Sequence, residues 1–184
     1  MVSEPQRSPL IGRGPSARSD VAWCAVALAG SALLGLLGGL IWEQVAPRAA
    51  LQEIGAGSAE YVNVETRAFI TADVWFCAIA VVAGLLTGVL GYRFLVSART
   101  GGVRALAVSC LILGGLAGAL VMLWLGELIG QSGYDQHLAS SPIGTLFPDV
   151  LALGAKSALA LWPMCTAIVL LVTEWGTKTT DGPD

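Results

Sequence analysis

The chain has 184 residues, 55% of them hydrophobic and 12% charged, with a net charge of −3. A soluble domain carries about 25% charged residues, so there is too little polar surface here to coat a water-soluble globule, and the apolar surplus must face lipid. No segment has the basic, aromatic-interleaved face that nucleic-acid binding needs, which excludes nucleic acid as a partner and makes the lipid bilayer the first one.

Residues 1–20 are polar and rich in proline, serine and arginine. Such a tail cannot bury apolar surface and is expected to be disordered. Arg7, Arg13 and Arg18 assign it to the cytoplasm. The apolar run over 21–42 is longer than a signal-peptide core of about 7–15 residues, and Val45-Ala46-Pro47 is a poor cleavage site, so the run reads as an uncleaved first span. Residues 43–73 form an outer loop with Glu43, Glu53, Glu60, Glu65 and Asp73 against Arg48 and Arg67. Pro47 and Gly55-Ala56-Gly57-Ser58 interrupt any long helix there, and the alternation from Tyr61 to Thr66 suits a short strand or hairpin arm.

The second span (74–96), an inner loop (97–104) and the third span (105–128) form a hairpin around Arg93, Arg99 and Arg104. Each run is long enough for a hydrocarbon core of about 30 Å, which takes roughly 20 residues at 1.5 Å each. The loop is too short to hold a domain, so these two spans are expected to be neighbouring antiparallel helices. Residues 129–149 form a second outer loop without Lys or Arg, in which Ser140-Ser141-Pro142-Ile143-Gly144 reads as a turn. The fourth span covers 150–172, and 173–184 form a polar cytoplasmic tail.

The inner segments hold Arg7, Arg13, Arg18, Arg93, Arg99, Arg104 and Lys178, and the outer loops only Arg48 and Arg67. The positive-inside rule then gives an all-α integral membrane protein, a four-helix bundle of the plasma membrane with both termini cytoplasmic. Trp23, Trp42, Trp75, Trp124 and Trp175 lie near span ends, as an interfacial belt requires. Trp162 falls near mid-span and is expected to pack against another helix. A weak internal echo relates the two helical hairpins: Asp73-Val74 and Asp149-Val150 open the second and fourth spans, and Cys24 and Cys110 sit similarly inside the first and third. Such a parallel repeat has its axis along the membrane normal.

Burial from water cannot drive helix association within lipid, so small residues that admit close backbone approach must do more of it. The first span offers Ser31, Gly35 and Gly39, the second Ala80, Gly84 and Gly88, the third Gly114 and Gly118, and the fourth Gly154 and Ala158. Lys156 is the one charge well inside an apolar run, and an ion pair with Glu127, Glu43 or Asp149 would line a small polar cavity. The competing reading is that its long stem carries the ammonium to the headgroups. Pro163 is expected to kink the fourth span. The acids of the first outer loop read as a solvated surface. Cys24, Cys77, Cys110 and Cys165 form no CxxC pair and read as small apolar residues. His137 has no second ligand of its type, and neither a metal, a cofactor nor a catalytic constellation is implied.

Trp42-Glu43-Gln44-Val45-Ala46-Pro47-Arg48, Ile70-Thr71-Ala72-Asp73-Val74-Trp75-Phe76 and Leu161-Trp162-Pro163 resemble a family of actinobacterial four-span membrane proteins catalogued as a domain of unknown function. The resemblance covers most of residues 21–172. It implies a multi-pass protein of the cell envelope and transfers no activity. The expected function is a non-enzymatic accessory or interaction subunit, with a membrane-protein partner or a second copy. The alternative is a small transporter or channel component built around Lys156 and Pro163.

Overall fold

A computed structural model describes residues 17–55, 58–61, 67–97, 99, 101–140 and 144–180. Most of the N-terminal tail, Glu65, the Ser141-Pro142-Ile143 turn and the end of the C-terminal tail lie outside the described residues, as do the side chains of Glu53, Glu60, Asp135, His137 and Lys178. The helices are α1 (Ala17–Val45), α2 (Ala68–Gly91, continued by a π-helical turn, Tyr92–Val96), α3 (Gly101–Ser140) and α4 (Leu161–Thr180, preceded by a 3₁₀ turn, Lys156–Ala160). All four are long and apolar enough to cross a membrane.

Each helix differs from its expected span at one end or both, and three of these differences bear on the site. α2 starts at Ala68 rather than Val74, and α3 runs on to Ser140 rather than stopping at Leu128. Hydropathy marks where a helix can meet lipid, whereas the helix itself continues through Thr71, Asp73 and Gln131 until a breaker intervenes. The third difference, at the start of α4, shapes the site below.

Helix faces follow the logic of a lipid solvent. Large aliphatics such as Leu33, Val82, Leu113 and Leu171 are exposed, and small residues such as Ser31, Ala80 and Ala119 are buried. α1 packs chiefly on α3 and α2 on α4, with α3 beside α4 and α1 more loosely beside α2. Both principal pairs run parallel. Ser31 faces Gly114, Gly35 faces Gly118 and Gly39 faces Met122. Gly84 meets Trp162 and Cys165, and Gly88 meets Thr166 and Val169. The expected hairpin intimacy of α2 with α3 is therefore corrected. They touch where Gly91 meets Leu111, but they lie across the bundle diagonal. A short loop ties only helix ends, and the faces that admit close approach choose the partner.

Away from the Arg99–Arg104 end, the two long connections join in a small sheet. β1 (Ala50–Gly55) pairs antiparallel with β2 (Ser58–Tyr61) and with β3 (Leu146–Pro148), in the order β2-β1-β3. Leu51 stands opposite both Tyr61 and Phe147, and the register slips between Glu53 and Gly55. The all-α expectation is amended to a helical bundle with a three-stranded cap. The third strand supplies what an isolated hairpin lacks in water.

Candidate functional site

The capped end gathers most of the charged side chains singled out above, around the segment Asp149–Ala155. This segment is not helical, and α4 does not begin at Val150. Pro163 explains the late start. It has no N–H, so an α-helical hydrogen bond cannot run from it back to Leu159, and it fits without a kink only in a first turn. It is the third residue of α4, so the expected kink is replaced by a helix start.

A backbone without helical hydrogen bonds needs other acceptors. The Asp149 amide donates to the Ala49 carbonyl at 2.8 Å, which ties the segment to the cap. The Val150 amide donates to Asp149 Oδ1 at 2.7 Å. Asp73, one helix away on α2, takes the Gly154 amide on Oδ1 at 3.0 Å and the Ala155 amide on Oδ2 at 2.9 Å. Glu127 on α3 points Oε1 at the Leu153 amide from 3.5 Å, a long contact. A Cβ at position 154 would stand 3.0 Å from Asp73 Oδ2, so Gly154 serves the reach of this carboxylate rather than the contact of two helices. Ala158, in the 3₁₀ turn, is buried.

These contacts revise the polar site expected around Lys156. Lys156 is the first residue of the 3₁₀ turn and is exposed. Among the described residues it joins no ion pair; Glu43 pairs instead with Arg48. Glu127 and Asp149 face backbone amides rather than the Lys156 ammonium among the described contacts. Asp73, read from the sequence as a solvated loop acid, is the residue that holds the segment. Its position at the edge of an apolar run was the available signal.

Below this segment the bundle centre is filled. Trp162 is fully buried beside Gly84, Gly115 and Gly118, and its Nε1 donates to Thr87 Oγ1 at 3.1 Å. Thr87 in turn donates to the Ala83 carbonyl at 2.8 Å, and Thr166 Oγ1 donates to the Gly84 carbonyl at 3.1 Å. Trp42, also fully buried, donates from Nε1 to the Ala72 carbonyl at 2.9 Å and meets Phe76 edge-on at 5.1 Å. No match to this chain is found among protein-family models, curated proteins or solved structures.

The other end carries the arginines. Arg104 on α3 pairs with Glu174 on α4. Arg99 donates to the Leu95 carbonyl and lies 5.0 Å above the Trp23 ring. Nearby, Cys24 and Cys110 are joined in a disulfide with Cα atoms 5.5 Å apart, which corrects their reading as inert apolar residues. Cys77 and Cys165 are free thiols. The bond follows from the parallel register of α1 and α3, which the spacing of the cysteines along the chain does not disclose.

Proposed function

We propose that the chain is a multi-pass protein of the plasma membrane, with both termini cytoplasmic, that acts as a non-enzymatic accessory or interaction subunit of a cell-envelope assembly. The observation that carries this reading is the filled centre. Trp162 occupies the space between α2, α3 and α4, and the carboxylates at the capped end are engaged with backbone amides. Groups held this way fix a shape, and a fixed shape suits a scaffold better than a moving path for solutes. The orientation draws on Arg93, Arg99 and Arg104, which cluster at one end with the capped end opposite. The parallel registers of α1 with α3 and of α2 with α4 favour two related hairpins.

The proposed contact surface is the cap, where β2 and β3 are the two edges of the sheet among the described residues. The partner is another membrane protein or a second copy of the chain. A transport role around Lys156 has less support, because that side chain is exposed beside acids already bonded elsewhere. Native pull-down from mild detergent tests the reading: a stable partner, lost when residues 50–61 are replaced by a flexible linker, is the expected outcome. A lone species that moves ions or solutes across liposomes would favour transport instead.

A further inference from the structure

The groove between α3 and α4 at the arginine end lies beside the Arg104–Glu174 pair. It is a cleft of about 530 Å³. Val108 and Ile112 form one wall, Ala167 and Leu171 the other, and Arg104 and Glu174 stand at its mouth. The α3 wall from Arg104 to Ile112 rises about 12 Å at 1.5 Å per residue, most of the roughly 15 Å that one leaflet contributes to a 30 Å core. Apolar walls of this depth under one positive and one negative side chain match an amphiphile with both charges in its headgroup.

We infer that this groove is a binding site for a zwitterionic phospholipid with a primary amine, of the phosphatidylethanolamine class. The inference rests on the chain spanning a bilayer with this end at headgroup level. Guanidinium has five N–H donors, so Arg104 can hold Glu174 and a phosphate oxygen together. The carboxylate of Glu174 accepts from more than one donor, and a primary ammonium supplies N–H groups that a quaternary choline lacks. A purely anionic headgroup gains from Arg104 but meets repulsion from Glu174. One acyl chain then lies along Val108, Ile112, Ala167 and Leu171.

Alkaline carbonate extraction of membranes first separates the two questions. If carbonate releases the protein, the membrane reading fails and the lipid reading with it. For protein that stays, native mass spectrometry is run with equimolar phosphatidylethanolamine, phosphatidylcholine and phosphatidylglycerol of one acyl composition. The expected result is one retained phosphatidylethanolamine, favoured over the other two by about fivefold or more. Glu174→Gln should erase the preference over phosphatidylcholine, and Arg104→Gln should weaken all three. Ser109→Phe, on an exposed groove position away from the mouth, should remove the adduct with helicity unchanged; Ala167→Phe repeats this from the opposite wall. Equal retention of the three lipids, a preference for either other headgroup, or an adduct that survives both groove-filling variants would overturn the inference.

Discussion

Asp73 accepts the Gly154 and Ala155 amides at 3.0 and 2.9 Å, and both bonds are charge-assisted. Hydrogen bonds to charged groups contribute about 1.5–3 kcal/mol, and partial exposure here keeps the pair toward the lower end. Asp73→Ala should therefore lower thermal stability in detergent by about 2 kcal/mol and speed hydrogen exchange at the Gly154 and Ala155 amides. Asp73→Asn, which keeps one carbonyl oxygen, should fall between alanine and wild type. An unchanged exchange rate at both amides would refute the role. The place of Asp73 at the edge of an apolar run marks it in the sequence, but its partners are not legible there, because the bonded amides lie 81 and 82 residues away. Trp162 was more legible: an indole far from either interface needs a protein neighbour and an acceptor for its N–H. Trp162→Phe should cost about 1 kcal/mol through the lost bond to Thr87, and Trp162→Ala about 3–5 kcal/mol through the cavity it leaves. Equal melting temperatures for the two variants would argue against that filled centre.

Between helices, glycines set the distance of approach. A Cβ at Gly118 would stand 2.7 Å from the Ser31 carbonyl oxygen and 2.9 Å from the Trp162 ring. A Cβ at Gly84 would stand 2.6 Å from the Trp162 carbonyl oxygen. Backbone atoms cannot turn aside, so the helices themselves must separate, at the upper end of the 1–3 kcal/mol typical of overpacking. Gly118→Leu and Gly84→Leu should each broaden the monodisperse peak in gel filtration and lower the melting temperature. Gly30→Ala should do neither, since no atom lies within 4 Å of that position. If all three behave alike, close approach is not what holds the bundle. The four-residue spacing of Ser31, Gly35 and Gly39 makes the sticky face of α1 readable from the sequence. Its partner is not readable, because chain proximity suggests the next helix while the matching small residues lie on α3. The late start of α4 was hidden for a related reason: hydropathy over 150–160 is the same for a helix and for a coil whose amides are satisfied from neighbouring elements.

At the scale of the molecule, the arginines and the disulfide make opposite demands. In the proposed orientation Arg93, Arg99 and Arg104 lie at the cytoplasmic end, where glutathione and thioredoxin keep thiols reduced. Depth reconciles the two. Cys24 lies about 4.5 Å inside the span that opens at Val21, and Cys110 about 13 Å inside the one that opens at Gly101, by the rise per residue. Trp23 and Arg99 line the narrow space beside the bond. In the proposed orientation the sulfurs therefore sit just inside the apolar edge of the span, beneath Arg99 and Trp23, where a charged reductant has poorer access than a neutral one. In inside-out vesicles a charged phosphine should leave the bond intact, while membrane-permeant dithiothreitol should open it, read by thiol alkylation after denaturation. Reporter fusions after Arg67 and after Arg99 should report opposite compartments in the same cells. A shared compartment would remove the four-span topology. Rapid reduction by the phosphine with the reporters still opposed would keep the topology and move the bond to the water surface. The two measurements thus separate the direction of the bundle from its depth, and the arginine count alone gives only the first.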